Sequence, residues 1–406
     1  MHTARSGTGI AEHGVAKACI VIAGPTLVTL IPMAAATALP AMAKAFNETG
    51  GGALFAQLVV TAPAGMVILG APLAGILSEI IGRRLSTLAS LLLFSVFGAG
   101  SMFASSQTIL IAARLALGLA GGALLTNTVA LASDFPEGGP REKLLGSMVA
   151  CTAVFAIFAL NFGGFLVDNF GWRGAFALYL LGLPVLAVAL IAVEEGAPVR
   201  AVQHGLIEPL RAYWAVYLLV VILAIGMFMT PVQGMLLVAA NGVTRAAAQG
   251  RFISVYSLSA GLSAASFGWL APRLGSRRLF ILIAAVFGGG GTVAALSANA
   301  GGVILGFAVM GIGAGLIEAT AALLILSRAP ERLRARAVGL LLSAVFLGQF
   351  LNPLIVDPLR TSLGIHGAFL AVSISFVFLA AALLPRTAAA WLYGKPESIV
   401  HSHGSV

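Results

Sequence analysis

Gly75-Ile-Leu77-Ser-Glu79-Ile-Ile-Gly82-Arg83-Arg84 stands at the end of a long apolar run, and Gly268-Trp-Leu270-Ala-Pro272-Arg273-Leu-Gly275-Ser-Arg277-Arg278 stands at the end of another. Gly75, Leu77, Gly82 and Arg84 each recur 193 residues later. A second pair has the same offset: Gly171-Trp-Arg173-Gly174-Ala-Phe176 and Gly364-Ile-His366-Gly367-Ala-Phe369. Two distant matches at one offset imply a duplication. The reading is therefore two halves of one architecture in parallel orientation: residues 1–193, a linker at 194–212, and residues 213–406.

Composition says what the halves are made of. Of 406 residues, 59% are hydrophobic and 9% charged, against a usual charged share of about 25%. So few charges cannot cover a soluble surface. Apolar runs long enough to cross a bilayer recur twelve times between residues 18 and 385, six in each half. The expected fold is an all-α membrane protein of twelve transmembrane helices in two pseudo-symmetric six-helix bundles. A disordered chain, a disulfide scaffold and a cytosolic enzyme are excluded together. Cys19 and Cys151 fall inside apolar runs and read as small buried hydrophobes rather than a redox pair.

The net charge is +9. Its placement argues against nucleic acid as a partner, because the Lys and Arg residues sit in short loops and form no basic domain. If the N-terminus is cytoplasmic, seventeen basic residues fall on the inner side and five on the outer, with Arg114 inside a span. The positive-inside rule then puts both termini in the cytoplasm. The first apolar stretch is too long for a signal peptide and is read as a retained span. Compact loops suggest a bacterial cytoplasmic membrane.

Two parallel halves can rock about a site near the bilayer midplane and open it to each side in turn. At this point the residues resemble the major facilitator superfamily. Twelve spans with a Gly-x-Leu-x-acid-x-x-Gly-Arg-Arg loop after the second, and a weaker copy after the eighth, are similar to its pattern over nearly the whole chain. Arg114-Leu-Ala-Leu-Gly118 resembles an Arg-x-x-x-Gly element found in proton-coupled members. The resemblance implies an alternating-access transporter, close to the drug/proton antiporter branch, with helices one, four, seven and ten lining the cavity. There are departures. Glu79 stands for the usual Asp and Ile80 for a basic residue. Ala159-Leu160 replaces the Gly-Pro pair that precedes Gly163-Gly164 in antiporters. Span one carries no acid, only Thr26, Thr29 and Thr37.

Glu318 is the only acid clearly inside the hydrocarbon, about 25 Å along its helix from the outer end and about 14 Å from the inner end. A carboxylate there is costly, at roughly 2.5–3.5 kcal/mol, and should face a cavity or a partner. It is the expected proton carrier or the partner of a cationic substrate. Arg114 is the only base inside a span. It stays charged, so it could hold an anion, act on a nearby carboxylate or close an internal network. Helices four and ten come from opposite halves, which makes a contact between Arg114 and Glu318 conceivable. Asn127, Asn161, Gln233, Tyr256, Gln349 and Asn352 are candidates for the cavity wall. Gln349 and Asn352 share a helix face. Gly75, Glu79, Gly82, Arg83, Arg84 and Asp134, with Arg273 and Arg277 of the second copy, form a candidate cytoplasmic gate. Its ion pairs would be individually weak and reversible.

No metal-ligand cluster and no phosphate-binding Gly-rich loop is visible. The expected energy source is therefore a proton gradient, with no cofactor. The expected partners are a small molecule, protons and the lipid bilayer, and the expected state is a monomer. The leading expectation is proton-coupled efflux of a small amphiphilic or lipophilic compound. A proton-coupled importer or uniporter of an organic anion, and a non-transporting sensor or scaffold, remain alternatives.

Overall fold

In the computed structural model, residues 6–47, 51–136, 139–194 and 207–385 are described. Most of the expected linker and both chain ends lie outside them. In hydrocarbon every backbone N–H and C=O must be satisfied within the segment, and the described chain is helical nearly throughout. In the first half, α1 is Ser6–Ala45, α2 Gly52–Ile81, α3 Arg83–Gly100, α4 Gln107–Leu131 and α5 Gly139–Phe170. α6 starts as a 3-10 turn, Trp172–Leu181, and continues as Gly182–Ala192.

α7 runs Ile207–Met227, loosens into a π turn at Met229–Gln233, and ends as Gly234–Ala240. It begins inside the stretch expected to be linker. Two helical stretches follow that are too long for one crossing. Ala246–Leu296 has 51 residues, about 75 Å at helical rise, against a hydrocarbon thickness of about 30 Å. It breaks at Gly275, with φ 69 and ψ 162, into α8 (246–274) and α9 (276–296). α10 is Ala300–Leu326. Glu331–Ala382 breaks at Gly364, with φ 73 and ψ 173, into α11 (331–363) and α12 (365–382). Among the described residues, twelve crossings result.

The repeat glycines explain the breaks. Gly82 has φ 84 and ψ 155, and Gly171 has φ 68 and ψ −175. All four combine positive φ with extended ψ, a region open essentially to glycine alone. Each turns the chain between two crossings, and each falls at the equivalent place in the other half.

The side on which α1 begins is called the near side, and the opposite side the far side. Across the halves, α5 packs on α8 and α2 on α11. α10 sits tightly on α8: a Cβ at Gly315 would lie 2.0 Å from the Ala260 carbonyl oxygen.

Candidate functional site

Glu318 lies on α10 about 12 Å along the helix from its near end. Its side chain is exposed, and among the described residues it makes no hydrogen bond or ion pair. The tight α8–α10 contact at Gly315 is one turn away. A carboxylate at this depth without a partner is open to exchange a proton or to meet a cation.

Arg114 is a different kind of residue. It is fully buried, and all its recorded bonds stay in the first half. Nε donates to the Val59 carbonyl at 2.8 Å, one terminal nitrogen to the Ile31 carbonyl at 2.7 Å and the other to the Tyr179 hydroxyl at 2.8 Å. Tyr179 in turn donates to the Ile31 carbonyl at 3.0 Å. The guanidinium also lies over the Phe176 and Tyr179 rings, 5.6 and 5.4 Å from their centroids. Val59 has a carbonyl to give because Pro63, four residues on in α2, has no N–H to occupy it. Arg114 thus ties α1, α2, α4 and α6 together, and the structure does not bring it to Glu318.

The second half solves the same problem with a neutral group. Pro231 leaves the Met227 carbonyl free in α7, and the Tyr256 hydroxyl of α8 donates to it. Tyr256 is therefore a helix tie rather than an open wall residue. Asn127 likewise donates to Ser86 Oγ at 2.9 Å, joining α4 to α3.

Two other candidates join the halves, and a third, Asn352, holds one of them from within the second half. Asn161 of α5 donates to Ser254 Oγ of α8 at 2.8 Å. Gln233 of α7 donates to Asn352 Oδ1 of α11 at 3.2 Å and to Gln57 Oε1 of α2 at 2.9 Å. Asn352 donates to the Ile225 carbonyl at 2.9 Å. Gln57, Gln233 and Asn352 are all fully buried. Gln349 is buried on the same helix as Asn352. Gln57 is absent from the sequence candidates because one amide near the start of a span carries no pattern.

At the far end of the α5–α8 contact, Asp168 accepts from the backbone N–H of Ala246 at 2.8 Å and of Ala247 at 3.1 Å. These cross-half contacts all lie toward the far side, which they close.

On the near side, Arg83, Asp134, Arg84, Arg273 and Arg277 make contacts within their own halves. Asp134 pairs with Arg83 at 2.9 Å and with Lys17 at 2.5 Å. Sequence reasoning had counted Lys17 only as a topology charge. Glu79 is exposed on the last turns of α2, and the Gly75 carbonyl accepts from Ser78 Oγ. Arg84 donates to the Leu190 carbonyl of α6 at 2.9 Å. Arg277 donates to the carbonyls of Leu383 and Leu384 beyond α12. Arg273 lies over the Trp269 ring, 4.2 Å from its centroid. Arg84 and Arg277 thus hold helix ends rather than a gate. In the second half, Arg332 and Glu208 form a two-bonded pair at 2.6 and 2.9 Å.

A profile described as Major Facilitator Superfamily matches residues 26–244 and 216–398. The chain belongs to the Major Facilitator Superfamily. Among superfamily relatives, it is 33% identical over 135 residues to the multidrug resistance protein Stp of Mycobacterium tuberculosis, covering 33% of this chain and 25% of that one. It is 33% identical over 167 residues to the inner membrane transport protein YajR of Escherichia coli, covering 40% of this chain and 36% of that one. These matches span about a quarter to a third of the relatives' length. In fold it is similar to a D-xylose–proton symporter structure, with TM-score 0.72 at 14% identity over 92% of this chain and 97% of that one. It is also similar to an inward-facing, occupied bacterial homologue of the human lysosomal transporter Spinster, with TM-score 0.72 at 15% identity over 91% and 96%.

This superfamily member also has an apolar groove of about 720 Å³ between the near halves of α1 and α5, lined among others by Cys19, Thr26, Cys151, Val154, Phe155 and Phe158. Both cysteines are exposed, contrary to the expectation that they are buried. The Thr26 hydroxyl is already spent on the Ile22 carbonyl at 2.7 Å.

Proposed function

We propose that the protein is a proton-coupled exporter of a lipophilic or amphiphilic compound, working by alternating access in a bacterial inner membrane with its near side cytoplasmic. Glu318 carries this reading: an unpartnered carboxylate deep in α10 that faces open space. A fixed ion pair would hold it charged, whereas a partnerless one can take a proton from one side and release it to the other. The apolar groove and the scarcity of free polar groups favour a lipophilic substrate over a sugar. The names of relatives such as the multidrug resistance protein Stp and the Bacillus subtilis multidrug transporter MdtP agree with export. The rival reading, an organic-anion carrier centred on Arg114, is weakened by the complete burial of that side chain and by its three bonds to the first half.

The test is proton release from detergent-purified protein as lipophilic cations and neutral amphiphiles are added. Substrate-evoked release that disappears in Glu318→Gln supports antiport. Tight binding with no release, the same in both proteins, would leave a uniporter. No binding and no flux of any compound would favour a sensor or scaffold.

A further inference from the structure

The far side is closed by two different chemistries at its two edges. At the α2–α7–α11 edge the closing groups are neutral amides, Gln57, Gln233 and Asn352. At the α5–α8 edge a carboxylate is added beyond the neutral contact of Asn161 with Ser254. Asp168, in the last turn of α5, accepts from two consecutive backbone N–H groups of Ala246 and Ala247. These are the first residues of α8, where the N–H groups have no partner inside the helix and the helix dipole is positive. Asp168 thus caps a helix that belongs to the other half. Arg245, exposed at the same turn, stands 3.8 Å from its second oxygen. One turn earlier on α5, Gly164 lets the two backbones meet: a Cβ there would lie 2.6 Å from the Ala247 Cα.

The duplication shows that this cap is not a general feature of the architecture. The position equivalent to Asp168 on α11 is Thr361, 193 residues on. Its hydroxyl is turned back to the Pro358 carbonyl at 3.0 Å. Among the described residues, no carboxylate caps the start of α2 at the equivalent edge.

We infer that Asp168 is a latch: a positioning residue that sets the balance between the far-closed and far-open states of the transport cycle, by a charged bond that exists only while α5 and α8 are together. Both N–H groups and the carboxylate go to water when the halves part, so the latch is reversible. The inference does not depend on proton coupling or on the nature of the substrate.

The experiment uses the full chain in nanodiscs, with Cys19 and Cys151 replaced by alanine and spin labels on Ser105→Cys and Ala298→Cys. These two positions are equivalent exposed far-side sites in opposite halves, away from the latch. Pulsed electron paramagnetic resonance reads the distance between them. Charged hydrogen bonds of this kind imply that Asp168→Ala lowers the far-closed to far-open ratio roughly tenfold, seen as a growing long-distance population. Asp168→Asn, nearly isosteric and able to accept only weakly, should shift it in the same direction. Asp168→Glu should restore most of the short-distance population. If Asp168→Ala does not fold, Asp168→Asn decides. Unchanged distances in folded Asp168→Asn would overturn the inference. So would a shift in Asp168→Glu as large as that in Asp168→Asn, since that would mark a packing role rather than a charged cap.

Discussion

Arg84 and Arg277 occupy equivalent positions in the two halves, and each reaches a leucine carbonyl 106 residues further on, Leu190 and Leu383. The contacts close the ends of α6 and α12. A duplicated sequence has therefore kept a tertiary contact as well as a motif. The N-caps repeat too: Ser106 accepts from the Ile109 N–H, and Asn299 accepts from the Gly302 N–H.

Glu318→Gln should leave folding intact. The carboxylate has no partner to lose, so its neutral isostere should cost under about 0.5 kcal/mol, or stabilise. Thermal melting in detergent measures this alongside substrate-evoked proton release, which should vanish. A large drop in melting temperature would mean that Glu318 holds the helices together.

Arg114→Met should be strongly destabilising. It strands the Val59 carbonyl in a dry interior and takes a donor from both the Ile31 carbonyl and the Tyr179 hydroxyl, which keep their bond to each other; the loss should cost roughly 3 kcal/mol. Arg114→Lys should rescue little, because a single ammonium cannot reproduce the planar fork. A variant that melts like the wild type yet no longer transports would instead make Arg114 a ligand-binding group.

The four break glycines should respond alike. Gly275→Ala and Gly364→Ala meet no neighbouring atom within 4 Å, so their cost, about 1–3 kcal/mol, is conformational. Asparagine should do no better than alanine, since extended ψ lies outside the left-handed region it tolerates. Chemical denaturation of the matched variants checks both points. A clear rescue by asparagine would contradict the assigned backbone geometry.

Gly164→Ala should obstruct far-side closure, because its new methyl would press on the α8 backbone. Transport should fall sharply. Gly146→Ala on the same helix, with open space around it, is the control and should transport normally. Equal rates for the two would show that α5 and α8 need not meet so closely during transport.

Much of the fold was legible because its determinants are local. Span number follows from runs of apolar residues, and the repeat shows in the recurrence of Gly82 at Gly275 and of Gly171 at Gly364, while the positive φ that these glycines share is a finding of the structure. Glu318 stood out for the same reason: one charge in a long apolar run is visible without any contact. The Ser106–Asn299 equivalence was hidden, since two different residues do the same capping work. The cysteines were misjudged because an apolar run does not say which face is covered.

The sequence alone determined an all-helical membrane protein of two duplicated halves, through hydropathy and glycine placement. Only the tertiary structure decided that Arg114 is spent inside the first half, that Asp168 caps a helix of the second, and that Gln57 joins Gln233 and Asn352. The physical reason is shared by all three. Their partners include backbone carbonyls, backbone N–H groups and isolated amides, which nearly any sequence can supply, so the partner is chosen by packing and leaves no mark in the residue types.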